Sequence, residues 1–329
     1  MSPKFRGNSD DWLDDQGPSR GDRDKKKPTA RSRFLLDAEG NARIAEVFPK
    51  QARVILDEGG ASLVCGYKRA AIFGTSDVRE RAPVAVGDHV VVKATSSSTG
   101  IIEGLCERTT FLFRPAPDRG EGETIQVIVS NIDRLVIVAS AENPEFSPGI
   151  VDRYLVAAQA AHITPVICVN KIDLALKIRA WSIYKDLGFK VFEVCAKRGE
   201  GIEALKKEIL GRRAAFCGHS GVGKTSLLRV LLGTDTGKIG EVNKLTKKGK
   251  HTTTSAVLLL GPEKSSWIDT PGIKEFGLSE IAPERLQEYF VELRDLKCAE
   301  PKCQHLDEVG CLARGLHRYS SYRRIYESL

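Results

Sequence analysis

Two short stretches carry residue types and spacings that do chemistry. GHSGVGKT (218–225) fits G-x-x-x-x-G-K-[ST], in which glycines let backbone N–H groups turn inward around anionic oxygens. AAFCG before it reads as a strand and GKTSLLRVLLG after it as an amphipathic helix, so the positive end of a helix dipole faces the anion. The backbone of Gly218, His219, Ser220, Gly221, Val222 and Gly223 forms the cradle. Lys224 is expected to reach the β- and γ-phosphates, and Thr225, followed by Ser226, to bring its hydroxyl to Mg²⁺. The second stretch, NKID (170–173), closes the strand-like run VICVN, where open α/β sheets hold ligands. Asp173 is placed to accept hydrogen bonds from guanine N1–H and the 2-amine, donors that adenine lacks. Asn170 is expected at the base edge and bracing loops, with the Lys171 stem over the ring and Ile172 between them. Cys195, Ala196 and Lys197 end the next strand, and the Ala196 N–H can meet guanine O6.

Further phosphate elements follow. In WIDTPG (267–272), Asp269 suits the Mg²⁺ shell and the Gly272 N–H the γ-phosphate. In GKHTTT (249–254), Thr252 and Thr253 are the candidates to complete the Mg²⁺ coordination. Alone, NKID is a weak signal; beside a phosphate loop in one βαβ domain it favours GTP over ATP. The base reader precedes the phosphate loop, the reverse of an ordinary GTPase. Such an order preserves the sheet if the old termini are joined and new ones opened in a surface loop, which is a circular permutation. Whatever follows DTPG is thereby tied directly to a γ-phosphate-sensing loop.

A third constellation lies near the C-terminus. Cys298, Cys303, His305 and Cys311 have the spacing C-x4-C-x-H-x5-C, which suits one closed, tetrahedral and therefore structural Zn²⁺. Beyond it, RGLHRYSSYRRIYESL reads either as an Arg/Tyr surface for phosphate contact and base stacking or as a plain amphipathic helix.

These groups need a frame. RLVIVAS, VICVN, KVFEVCA, AAFCG and SSWIDT alternate with helical VDRYLVAAQAAHI, WSIYKDL and GIEALKKEIL, which predicts a mostly parallel sheet. Upstream, RIAEVF, RVILD, SLVCGYK, AAIFG, DHVVVKA and GIIEGLC are short β-rich runs without helices, as in an OB-fold barrel. FLFRPAPDRGEGE (111–123) reads as a linker. The expected architecture is multidomain: a disordered basic arm over 1–33, an OB-fold β-barrel over 34–112, a circularly permuted α/β P-loop GTPase domain over 113–277, and a mainly helical zinc-binding domain over 278–329.

The net charge is +7, with five lysines against one glutamate in 238–251, favouring a nucleic-acid partner. No apolar run approaches the roughly 20 residues that span a bilayer. The N-terminus has no apolar export segment, so the eight cysteines are expected reduced or metal-bound and the protein cytoplasmic and off membranes; a monomer is the default expectation.

Barrel, NKID before GHSGVGKT, GKHTTT, DTPG and the C-x4-C-x-H-x5-C cluster together resemble the bacterial RsgA/YjeQ family from about residue 40 onward. The resemblance implies a circularly permuted GTPase that binds the small ribosomal subunit late in assembly. It further implies stimulation by the subunit, release driven by GTP hydrolysis, and rRNA contacts from the barrel and zinc domain. His251 matches a family histidine proposed to activate the attacking water, joining Lys224, Thr225 and Asp269 as the catalytic set; contact with phosphate or rRNA is the plainer role for it. Ile273 stands where other GTPases carry a glutamine. A GTP-gated rRNA-binding factor with incidental hydrolysis is the alternative function.

Overall fold

A computed structural model describes residues 39–67, 83–115, 125–175, 179–233, 256–270, 276–294 and 296–329. The first five strands are β1 (Ala42–Phe48), β2 (Gln51–Leu56), β3 (Ser62–Gly66), β4 (His89–Ala94) and β5 (Thr99–Leu105). They run in the order β1-β2-β3-β5-β4, and β4 returns to pair with β1, closing a five-stranded barrel. Alternate residues fill its interior: Ile44, Val54, Leu63, Val90, Val92 and Ile102 are buried, while Val64 and Ile101 face out. This is the period of two that a pleated strand imposes.

FLFRP is not a linker. Phe111–Pro115 forms β6, paired antiparallel with β7 (Ile125–Ser130), and its Leu112 and Phe113 are buried. The proline and the charged residues that follow hid a strand in which a bulge between Leu112 and Phe113 lets both neighbouring side chains be buried.

The second sheet region holds β8 (Arg134–Ser140), β9 (Thr164–Asn170), β10 (Val191–Glu193), β11 (Arg213–Cys217), β12 (Val257–Leu260) and β13 (Ser266–Asp269). Its order is β10-β9-β8-β11-β13-β12, parallel except at β12. Helices α1 (Pro148–Ala160), α2 (Ser182–Asp186) and α3 (Ile202–Ile209) link successive strands, and α4 (Lys224–Leu232) follows β11. Successive residues of β8 point to opposite sides. Ile137 and Ala139 pack with α1 and α2, whereas Val136 and Val138 pack with α3 and α4. Both faces are therefore covered, as a parallel sheet requires.

The barrel continues this sheet rather than hanging from it. β1 carries a bulge between Ile44 and Glu46, after which Glu46 pairs with Val257 of β12. A bulge bends and twists its strand, which lets β1 reach β12 while it keeps β2 and β4 in the barrel. The joint is reinforced by Asp88, fully buried, whose carboxylate accepts from Arg108 Nε at 2.5 Å and Nη2 at 2.7 Å and from Ser130 Oγ at 2.6 Å.

The C-terminal segment adds a 3₁₀ stretch (Pro283–Tyr289), α5 (Val291–Arg294) and α6 (Tyr319–Tyr326), and it joins the core on the α1 side. Tyr322 is fully buried and Arg318 is 2 % exposed, so these two cannot serve a nucleic acid. For them the amphipathic reading of the terminal helix holds. Among the described residues no helix is long and apolar enough to cross a membrane.

Candidate functional site

The phosphate loop runs from β11 into α4 at the carboxyl ends of the parallel strands. Gly218 has φ of +141°, and a side chain there would collide with the Val138 carbonyl of β8. Gly223 has φ of +94° and lies against Asn170 Nδ2, so a side chain would drive the phosphate loop off the base reader. Both glycines are demanded by close approach as well as by backbone conformation.

The base reader is fastened to that loop. Asn170 is 2 % exposed; its Nδ2 donates to the Val222 carbonyl at 2.9 Å, and its Oδ1 accepts from the Ala196 N–H at 3.1 Å. That N–H, expected at guanine O6, is thus shared with Asn170. Lys171 adopts the left-handed conformation and sends Nζ to the Gly221 carbonyl at 2.6 Å and to the Asn143 carbonyl. Ile172 and Asp173 begin a 3₁₀ turn. The Cys195 thiol donates to Asp173 Oδ1 at 3.2 Å, while Lys197 is exposed beyond it. In the sequence Cys195 is a small residue at a strand end with no role for its side chain; no local pattern shows a thiol meeting a carboxylate across two loops.

On the phosphate side, Lys224 Nζ donates to the Gly218 carbonyl at 2.6 Å and the His219 carbonyl at 3.2 Å. Burial lowers its pKa, opposed by the charge of Asp269. His219, Ser220, Thr225 and Ser226 are exposed around it. Asp269 is 2 % exposed at the end of β13, and its Oδ1 has no hydrogen-bond partner among the described residues. A buried carboxylate with a free oxygen is a place for a cation. Thr270 locks this strand end to β11, its hydroxyl donating to the Phe216 carbonyl at 2.6 Å. His251, Thr252, Thr253, Gly272 and Ile273 lie outside the described residues.

Burial raises the Asp269 pKa, more than Lys224 and the Thr270 N–H lower it. A carboxylate whose folded value lies above its unfolded value begins to cost stability as pH rises through the unfolded value. The full cost is present once pH exceeds the folded value. Asp269→Asn is therefore expected to raise the melting temperature of the nucleotide-free chain at neutral pH. The same variant should lose most of the stabilisation that Mg²⁺ with GTP adds. Scanning calorimetry with and without ligand reads both.

Near the C-terminus, Cys298, Cys303, His305 and Cys311 bring four ligand atoms within 4.8 Å of one another. His305 Nδ1 is 3.5 Å from the sulfurs of Cys298 and of Cys311, and those sulfurs are 4.0 Å apart. A tetrahedral Zn²⁺ with its usual bond lengths requires roughly 3.5 Å between nitrogen and sulfur and about 3.8 Å between sulfurs. Burial pushes the Cys303 thiol up to about 12, against a backbone hydrogen bond from His305 and together with the adjacent Cys311 and Cys298 sulfurs. Three thiolates at this spacing need a cation to neutralise them. The donor set fits zinc.

A doubly wound P-loop domain in which the strand carrying NKID comes before the phosphate loop, yet lies across the same sheet, is a circularly permuted GTPase. The RsgA GTPase family model matches residues 105–279. Two curated relatives, both named small ribosomal subunit biogenesis GTPase RsgA, extend the match. The one from Photorhabdus laumondii is 39 % identical over 270 residues, covering 75 % of this chain and 76 % of the relative. The one from Ectopseudomonas mendocina is 35 % identical over 331 residues, covering 94 % and 93 %. The crystal structure of YjeQ from Thermotoga maritima superposes with a TM-score of 0.64 at 25 % identity, covering 89 % of this chain and 99 % of that one. The chain belongs to the RsgA GTPase family. It is accordingly an enzyme that hydrolyses GTP and uses Mg²⁺.

Proposed function

We propose that this GTPase acts in late maturation of the small ribosomal subunit, is stimulated by the subunit, and uses GTP hydrolysis to drive its own release. The names of the relatives support the partner. The observation that carries the mechanical part is the Glu46–Val257 pairing. In the β12–β13 register Val257 lies opposite Asp269, so the barrel, strand β12 and the buried carboxylate stand in one row. A barrel seated on rRNA is thereby attached to the strand that ends at the phosphates.

In this reading Asp173, Asn170 and Lys171 select and hold guanine, with Ile172, Cys195, Ala196 and Lys197 walling the base. Residues 218–226 surround the phosphates, with Lys224 on the β- and γ-phosphates. Thr225, Asp269, Thr252 and Thr253 serve the Mg²⁺ shell, and Gly272 the γ-phosphate. Bound Mg²⁺ supplies charge neutralisation at the β- and γ-oxygens. His251 orients or deprotonates the attacking water, a role Ile273 cannot take. The Cys₃His cluster holds one structural zinc. The domain limits, 34–112 for the barrel, 113–277 for the GTPase and 278–329 for the zinc segment, the rRNA contacts, the basic arm over 1–33, the monomeric state and the cytoplasmic location belong to the same proposal.

The test is GTP turnover by the zinc-loaded chain, alone and with purified small or large subunits, with Lys224→Ala as blank. Marked stimulation by small subunits only is expected. Unchanged turnover with GTP still bound would overturn the stimulated-enzyme reading and leave a GTP-gated rRNA binder.

A further inference from the structure

We propose that Glu308, Tyr319 and Tyr322 are positioning residues for the metal ligand His305, holding the peptide groups on either side of it so that the Cys₃His cluster keeps its ion. The inference rests on the zinc reading of that cluster.

His305 has φ of +59°, a left-handed conformation that an L side chain rarely adopts. Such a residue persists only where its surroundings over-determine it. Here the surroundings do so from both neighbours. The Glu308 carboxylate accepts the Gln304 N–H on Oε1 at 2.6 Å and the Leu306 N–H on Oε2 at 2.7 Å. On the carbonyl side, Tyr322 Oη donates to Gln304 O at 2.7 Å, and Tyr319 Oη donates to Leu306 O at 2.8 Å. Every backbone hydrogen-bonding group of residues 304 and 306 is therefore held by one of three side chains. The imidazole itself stands edge-on to the Tyr322 ring, with centroids 6.2 Å apart and planes at 70°.

None of the three side chains is needed as a ligand, because the cluster already brings four donor atoms within 4.8 Å of one another, and both phenols and both carboxylate oxygens bind backbone groups. Their effect falls on where Nδ1 sits. Released from this bracket, His305 relaxes toward negative φ, and its ring leaves the position 3.5 Å from two sulfurs. Groups that orient a metal ligand from outside the coordination sphere contribute about 10–100-fold in metal affinity. Both tyrosines lie on the terminal helix, and Tyr322 also packs edge-on to Phe290 at 5.3 Å, so the bracket is anchored in the core.

The experiment measures zinc content of the purified full-length chain and then zinc release to an excess of chromogenic chelator. Glu308→Gln keeps shape but leaves one acceptor oxygen for two N–H groups, and Tyr319→Phe and Tyr322→Phe remove only hydroxyls. Tyr326→Phe, on the same helix and packed on the Tyr322 ring, is the control. Release about tenfold faster or more in Glu308→Gln and Tyr322→Phe, at wild-type rate in Tyr326→Phe, with melting temperatures in saturating zinc preserved, is the expected result. Rates within twofold of wild type, or equal acceleration in the control, would overturn the proposal. A wild-type chain carrying no stoichiometric zinc would overturn it earlier, by removing the zinc reading. If Glu308→Gln does not fold, the two tyrosine variants decide.

Discussion

Asp173→Asn is expected to weaken GTP binding by about 10³–10⁴-fold and to create binding of xanthosine triphosphate. A site built to hydrogen-bond a particular polar edge rejects a mismatched one by roughly 10⁴–10⁵, and Asp173 is only half-buried, which lowers the figure. Guanine offers two donors, N1–H and the 2-amine, to a carboxylate that only accepts. Xanthine replaces the amine with a carbonyl, which an asparagine amide can meet as donor while its oxygen takes N1–H. The Cys195 thiol, now on Asp173 Oδ1 at 3.2 Å, does not obstruct the exchange. The amide oxygen has two lone pairs, one for the thiol and one for N1–H. Competition of GTP and xanthosine triphosphate for the variant reads the outcome. A variant that still prefers GTP would remove Asp173 from the base site.

What was legible beforehand was local. Strands β8, β9 and β11 carry the apolar runs Leu135–Ala139, Val166–Val169 and Ala214–Cys217, and the loop between β11 and α4 has a spacing that few other structures require. The Cys₃His set was legible for the same reason, since four ligands within fourteen positions need no knowledge of the fold. The features that escaped are pairings across the chain. β12 is a four-residue apolar run whose partner strand in the barrel is chosen by a bulge at Ile44–Glu46. β6 was concealed by the proline that ends it. Cys195 meets Asp173 only because two loops converge at the strand ends. Arg318 was open to a surface reading because His317, Tyr319 and Ser320 flank it; its burial follows from how the terminal helix docks.

That docking makes Arg318 the second residue whose removal is expected to act strongly, and on stability rather than on nucleotide. Its Nε donates to Asp152 Oδ1 of α1 at 2.7 Å, and its Nη1 to Glu292 Oε2 of α5 at 3.0 Å. The guanidinium lies 4.6 Å from the centroid of the Phe290 ring. Asp152 is fully buried and also accepts from the Tyr184 hydroxyl at 2.9 Å. Arg318→Met retains much of the volume over Phe290 but strands the buried Asp152 carboxylate. Breaking one side of a buried pair costs about 3–5 kcal/mol, because the remaining charge stays desolvated. Tyr184 satisfies part of Asp152, but Glu292 loses its partner in the same step, so the upper half of that range is expected. The double variant Asp152→Leu, Arg318→Met leaves no buried charge at α1 and should recover the part of the loss that comes from Asp152, since apolar replacement of a buried pair is near neutral, while Glu292 stays without its partner. Chemical denaturation of the zinc-loaded chain, in a cycle with both single variants, measures the coupling. If Arg318→Met costs less than about 1 kcal/mol, the pair does not fasten the C-terminal segment to α1, and the aromatic packing of Phe290 and Tyr322 must hold it instead.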